Sequence, residues 1–170
     1  MRLLITRPGE DGSAVAEILG ARGVDSIIEP LLVIKKIEGS ALNLNNIQAL
    51  LLTSANGVRA LAEKTDRRDI PVYAVGDATA TTARKTGFVQ VHSAAGDVET
   101  LVGLVKEILK PKDGPLLHIA GSEVAGDLIG LIKRAGFECT REILYEVISE
   151  RSLKSSTIAA IKDNRIDVVT

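Results

Sequence analysis

The sequence predicts an α/β protein whose parallel sheets are covered by helices and whose chain is divided between two related lobes. Three observations carry that reading. Short apolar runs alternate with helical patterns along most of the chain, the arrangement that buries a parallel sheet on both faces. Arg22-Gly23, Thr86-Gly87 and Ala135-Gly136 each place glycine where a left-handed helix stop is expected, directly before a hydrophobic run. The chain also repeats itself. At an offset of 113 residues, Leu3-Leu4-Ile5-Thr6-Arg7-Pro8-Gly9-Glu10 lies over Leu116-Leu117-His118-Ile119-Ala120-Gly121-Ser122-Glu123 without a gap.

Taken in order, strands are expected near residues 2–6, 24–29, 48–53, 71–75, 89–92, 115–119, 137–141 and 166–170. Helical stripes lie between them at Val15, Ile18 and Leu19, at Leu101, Leu104, Val105 and Leu109, and at Leu128, Leu131 and Ile132. Two stretches break the alternation, Pro30-Leu31-Leu32-Val33-Ile34-Lys35-Lys36-Ile37 and Glu142-Ile143-Leu144-Tyr145-Glu146-Val147-Ile148-Ser149. They hold corresponding places in the two copies, suit an extended chain and carry no cap where a helix would start. Residues 31–37 and 143–149 are therefore expected to be two linkers that pair with each other. Residues 38–142 then form a contiguous five-stranded α/β lobe, and residues 1–30 with 150–170 a discontinuous one.

The second copy runs to Ile166-Asp167-Val168-Val169-Thr170, the counterpart of Ile47-Gln48-Ala49-Leu50-Leu51, whereas the first continues into Leu52-Thr53-Ser54-Ala55-Asn56-Gly57. By that analogy the discontinuous lobe is expected to be incomplete, lacking roughly 60 residues.

Composition narrows the function. A formal charge of −1 gives no cationic field for nucleic acid, and Tyr73, Tyr145, Phe88 and Phe137 are too few aromatics for base-stacking platforms. The single cysteine, Cys139, permits no internal disulfide and no multi-cysteine metal cluster. The apolar run at the N-terminus is too short for a signal peptide, and no stretch approaches the ~20 apolar residues of a spanning helix. A soluble cytoplasmic protein is expected.

In open parallel sheets ligands bind at the carboxyl ends of the strands. There the sequence places Thr53-Ser54-Ala55-Asn56-Gly57, Gly76-Asp77-Ala78-Thr79-Ala80, His92-Ser93-Ala94-Ala95-Gly96-Asp97 and Ala120-Gly121-Ser122-Glu123. Such small polar turns leave backbone N–H groups at helix N-termini open to carboxylates or phosphates. Taken singly, Ser54, Asp77 and Asp97 read as helix N-caps; taken together, four such turns on one edge read as a binding edge. There is no dinucleotide or Walker loop and no histidine pair at metal spacing. His92 and His118 fall in strands, where a structural histidine is expected, and Cys139 reads as a core residue. A phosphoacceptor receiver domain would need acidic residues after its first strand, where Thr6-Arg7-Pro8 or Thr53-Ser54 stands instead.

Leu4-Ile5-Thr6-Arg7-Pro8, Leu52-Thr53-Ser54-Ala55-Asn56-Gly57-Val58-Arg59-Ala60-Leu61, Val72-Tyr73-Ala74-Val75-Gly76-Asp77-Ala78-Thr79-Ala80 and Ile143-Leu144-Tyr145-Glu146 together, in this order and spacing, resemble uroporphyrinogen-III synthase. The resemblance implies two flavodoxin-like lobes joined by a two-stranded linker. The activity it implies is cyclisation of hydroxymethylbilane, with inversion of the last pyrrole ring and loss of water, in haem biosynthesis, without metal or cofactor. Tyr145 is then the catalytic residue, matching the family's tyrosine that assists departure of the hydroxyl; otherwise it is a linker tyrosine with a packed ring and a wet hydroxyl. Arg7, Thr53, Ser54, Asn56, Gly57, Gly76, Thr79, Ala80, Ser93, Gly121 and Ser122 would bind substrate, Asn56 serving turn geometry first. A monomer is expected, with no nucleic-acid or membrane partner. Family members continue past the strand matching Val168-Val169-Thr170, so the activity of the chain alone is in question. The competing reading is a noncatalytic remnant or a module that binds anionic small molecules.

Overall fold

A computed structural model of the chain describes residues 1–39, 42–124 and 126–170. The elements begin β1 (Arg2–Ile5), α1 (Gly9–Gly20), β2 (Asp25–Ile28), β3 (Leu32–Lys36), β4 (Ala49–Leu52), α2 (Ala55–Lys64), β5 (Val72–Ala74) and α3 (Asp77–Lys85). They continue with β6 (Val91–Ser93), α4 (Val98–Ile108), a 3-10 turn at Pro111–Asp113, β7 (Leu116–Gly121), α5 (Leu128–Arg134), β8 (Cys139–Ser149), α6 (Ser155–Lys162) and β9 (Val168–Val169). Two compact units result, one made of Met1–Lys35 with Val147–Thr170 and the other of Lys36–Glu146. The glycine stops stand where the sequence puts them, with φ of +73° at Gly23, +96° at Gly87 and +90° at Gly136.

In the unit Lys36–Glu146 the sheet order is β8-β7-β4-β5-β6, and the pairings β7–β8, β4–β7, β4–β5 and β5–β6 are all parallel. Every residue of β4 and of β7 is buried. Helices therefore cover both faces, and the two strands read as continuous apolar runs rather than alternating ones. On one face Leu51 and Tyr73 pack with Leu101 and Val105 of α4 and with Ile132 of α5.

β3 pairs with β8. Ile37 N–H donates to Leu144 O and Glu150 N–H to Leu31 O, so the numbering runs in opposite senses and the pair is antiparallel. The two copies of the repeat differ here. β8 is one strand of 11 residues where the first copy has two strands, β2 and β3. The break falls at Pro30, whose missing N–H and restricted neighbour interrupt a ladder; its counterpart in the second copy is β-branched Ile143, which extends it.

The other unit has a three-stranded parallel sheet, β2-β1-β9, with Leu4 in register with Ile27 on one side and Val169 on the other. Leu3, Leu4 and Ile5 are buried, but β9 is an edge and Val169 is 62% exposed. α1 does not use the whole stripe expected of it: Val15 and Leu19 are half-buried, while Ile18 points outward. Its one buried residue is Gly12, where a Cβ would come within 2.9 Å of Arg7 O. Glu29, just after β2, is buried, and its carboxylate accepts the Lys154 N–H at 2.8 Å and the Thr157 hydroxyl at 2.9 Å. It thus caps α6, whose own N-cap residue supplies no side-chain bond.

Candidate active site

From β4 the chain lays down β5 and β6 on one side, then returns to lay down β7 and β8 on the other. The switch point lies between β4 and β7, where loops leaving in opposite directions open a crevice at the carboxyl ends of the strands. A cleft of about 280 Å³ is found there, lined by Thr53, Gly121, Tyr145, Asp97, Glu123 and three valines.

Tyr145 reaches this cleft through a local irregularity. β8 pairs with β7 in register from Cys139 to Ile143, then slips by one residue, so that Gly121 stands opposite Tyr145. Such a bulge re-aims the side chain that follows it. Consecutive residues Leu144 and Tyr145 are accordingly both buried, Tyr145 at 7% exposure. The ring lies on Gly121, where a Cβ would come within 2.7 Å of it, so glycine is required for this seat. The phenol oxygen is 2.8 Å from Ser54 Oγ. Ser54 in turn is the N-cap of α2 and accepts the Gly57 N–H at 3.1 Å. A string therefore runs from the positive end of α2 through Ser54 to the phenol. Of the two readings of Tyr145, the packed ring holds, but the hydroxyl is bonded to protein.

Thr53, the residue before Ser54, is backed by His118 of β7, with Oγ1 3.5 Å from Nε2. His118 is 2% exposed, and its Nδ1 has no hydrogen-bond partner among the described residues. Burial, reinforced by the charge of Arg141, lowers its pKa to about 4, so the ring is neutral at pH 7. Asp97 caps α4 in a reciprocal box with Thr100, whose N–H bond holds the carboxyl below its usual range. Among the described residues the lining carries the acids Asp97 and Glu123 and no lysine or arginine, so its donors toward an anion are the hydroxyls of Thr53 and Tyr145.

The other residues singled out in the sequence are placed less uniformly. Asn56 accepts from the Arg59 guanidinium at 2.9 Å and serves the turn. Gly57 is buried, with Ile119 O and Leu52 Cδ2 each 3.3 Å from where its Cβ would be. Gly76 is the N-cap of α3 and makes no side-chain bond there; Thr79 and Ala80 face inward and are buried. Ser93 donates its hydroxyl to Asp77 at 2.7 Å and accepts the Ala95 N–H. The backbone donors of its turn are engaged, Ala94 with Ala74 O, Gly96 with Val75 O and Asp97 with Thr100 Oγ1. Ser122 does not start a helix: α5 begins at Leu128 behind its cap Asp127, and the Ser122 N–H donates to Tyr145 O at 2.9 Å. Arg7 is exposed in the other unit, after β1.

Sequence reasoning did not foresee that His118 backs Thr53 or that Ser54 meets Tyr145, because nothing local marks partners that are 65 and 91 residues apart. Among the described residues no group of three or more His, Cys, Asp or Glu is placed to hold a metal ion, and no helix is long and apolar enough to cross a membrane.

The family model described as uroporphyrinogen-III synthase HemD matches residues 13–170. Two solved structures share the fold. Uroporphyrinogen-III synthetase from Helicobacter pylori 26695 superposes with a TM-score of 0.61 at 18% identity, over 94% of this chain and 68% of that one. A mutant uroporphyrinogen III synthase from the extremely thermophilic bacterium Thermus thermophilus gives 0.57 at 14% identity, over 99% of this chain and 71% of that one. No curated protein matches the chain by sequence.

Proposed function

The chain belongs to the uroporphyrinogen-III synthase family, which makes it a cyclising lyase of tetrapyrrole biosynthesis, and we propose that Tyr145 supplies the proton that starts its reaction on hydroxymethylbilane. The observation that supports this reading is the phenol of Tyr145, held 2.8 Å from Ser54 Oγ on the wall of the switch-point cleft. Because Ser54 already accepts from Gly57, its own proton is available to the phenol oxygen, and the phenol proton is then free to face the cleft.

As the hydroxymethyl C–O bond breaks, that proton passes to the leaving oxygen, which departs as water. The pyrrole nitrogen lone pair stabilises the cationic carbon, and the Ser54 hydroxyl stabilises the phenolate. Ring closure forms a carbon–carbon bond, and the proton lost there restores the phenol. The net loss is one water. Inversion of the last ring exchanges one bond. Closure occurs at the α-carbon that already carries the bridging methylene, and the old bond to that methylene breaks. The methylene then joins the ring's other α-carbon, whose hydrogen is the proton lost. The flexible chain must be held for this sequence, so most of the rate comes from positioning.

The polycarboxylate substrate is gripped by the Thr53 hydroxyl and by the amino ends of α2 and α3, with Gly76 and the backbone at Thr79 on the second. Asp97 and Glu123, which also line the cleft, repel carboxylates from their own part of the lining. The same proposal takes the protein as a cytoplasmic monomer working without metal or cofactor. Buried Cys139 fits a structural role, its thiol pushed up to about 11 by burial.

The assay is the ratio of uroporphyrinogen III to I, since free hydroxymethylbilane closes without inversion. Tyr145→Phe is expected to lower the rate of type III formation roughly 10²-fold, the low end for a general acid, with little change in stability. An unchanged type III rate in Tyr145→Phe would remove the tyrosine from the chemistry.

A further inference from the structure

His118 is a buried ring that the reaction above does not use. It lies in the middle of β7, in register with Leu51 of β4 and Arg141 of β8. Of its two nitrogens, Nε2 faces Thr53 Oγ1 at 3.5 Å, and Nδ1 is buried with no partner among the described residues. A neutral imidazole carries one N–H and one lone pair, so two arrangements are open to it. With the proton on Nδ1, the fold would bury an unpaired N–H, and the only proton of the Thr53 hydroxyl would turn inward to the Nε2 lone pair. With the proton on Nε2, only a lone pair is left unpaired, and Thr53 receives a hydrogen bond from behind. A stranded donor is the rarer and costlier of the two in protein interiors.

We propose that His118 is a positioning residue in its Nε2–H form, donating to Thr53 so that the threonine hydroxyl points its own proton into the cleft toward a substrate carboxylate. Thr53 lines the cleft, whereas His118 does not. The histidine therefore acts through the threonine and never touches substrate. A hydroxyl held in this sense favours an anion: its one proton is aimed into the cleft, and one of its two lone pairs is already taken from behind. This extends the assignment of a carboxylate-bearing substrate to the cleft and rests on that reading. At 3.5 Å the bond is long, so its effect is modest; a net hydrogen bond at the weak end of the usual range corresponds to about threefold to fivefold in affinity.

Two measurements on the full chain test the idea separately from the catalytic reading. The first is imidazole 15N NMR at pH 7 without ligand. The Nε2–H form is expected for His118, with its Nε2 signal displaced in Thr53→Val; a dominant Nδ1–H form, or no response to Thr53→Val, overturns the proposal whether or not the protein is a synthase. The second is steady-state kinetics with hydroxymethylbilane. His118→Leu, which keeps an apolar bulk in the strand, is expected to raise KM about threefold to fivefold with kcat nearly unchanged. Thr53→Val should do the same, and the double variant should be no worse than either. His118→Gln, whose amide can place a donor near the Nε2 position, should restore much of the loss. Additive losses in the double variant, or equal losses in His118→Leu and His118→Gln, would reduce His118 to a packing residue. If the parent chain makes no uroporphyrinogen III, the NMR result alone decides the role of His118.

Discussion

Each unit sets a threonine directly after the strand at the centre of its sheet, Thr6 after β1 and Thr53 after β4, with parallel neighbours on both sides. The Thr6 hydroxyl donates to Thr170 O at 2.7 Å, and its N–H donates to the same carbonyl at 2.9 Å. Thr53 instead has the edge of His118 behind it and a cleft in front. The same residue in the same topological place thus closes one strand end and equips the other. What differs is the group beside the threonine, a main-chain carbonyl next to Thr6 and the ring of His118, on the wholly buried strand β7, next to Thr53.

The contrast extends to what holds each unit together. The unit Lys36–Glu146 sets its polar ties, such as Gln48 Nε2 to Gly114 O and the Arg68 guanidinium to Ala62 O and Thr86 O, around a large apolar core. The unit of Met1–Lys35 with Val147–Thr170 adds polar ties to a small core: Arg2 N–H to Asp167 at 2.7 Å, Arg2 with Asp25 at 3.3 Å, and the buried Glu29 on α6. The exposed pairs among these contribute little, whereas Glu29, with its oxygens out of water, must keep its donors.

The largest expected effect is a cavity at the centre of the larger sheet. Leu51 is fully buried between β5 and β7, so Leu51→Ala should cost about 2–5 kcal/mol by urea unfolding. Hydrogen exchange should show the same contrast without mutation, slow amides in β4 and β7 and fast ones at Val168–Val169. Equal protection at both places would erase the distinction between the units.

Acid should separate them next. The His118 pKa falls from 6.5 to about 4 on folding, so the unfolded chain takes up its proton first. Stability in that unit is therefore complete above about pH 6.5 and declines as pH falls toward about 4, by an amount on the order of 3 kcal/mol. Glu29 acts lower. Its carboxyl is held below the ordinary 4.5, first by the Lys154 N–H, so its contribution is present above that value and lost as pH falls through the folded one. Unfolding midpoints taken between pH 7 and 3 should lose the upper limb in His118→Gln and the lower limb in Glu29→Gln. One limb insensitive to both substitutions would show that neither buried group governs acid stability.

The strands and glycine stops were legible because their signals are local: an apolar run, a left-handed stop, a change of period. The site was legible only as a set of turns at one sheet edge. Its working contacts come from register: the slip after Ile143 that turns Tyr145 toward Ser54, and the alignment of β7 that sets His118 behind Thr53. The internal repeat misled in one place. Aligning the turn at Gly121-Ser122 with the turn after β1 suggested backbone donors free for a ligand, whereas the Ser122 N–H donates to Tyr145 O and α5 starts only at Leu128, behind its cap Asp127.

The smallest expected effect asks the most specific question, because Ser54 serves both stability and chemistry. As the cap of α2 it satisfies the Gly57 N–H, and Ser54→Ala should cost about 1 kcal/mol of stability. As the partner of Tyr145 it orients the phenol, and its loss should slow type III formation by about fivefold to tenfold, the worth of one hydrogen bond. The two roles separate in the Tyr145→Phe background. There the phenol is gone, so adding Ser54→Ala should still lower stability yet leave the residual rate unchanged. If the double variant were slower than Tyr145→Phe by the same factor as Ser54→Ala alone, the serine would be acting on substrate directly. The string from α2 to the phenol would then be scaffolding rather than part of the proton's path.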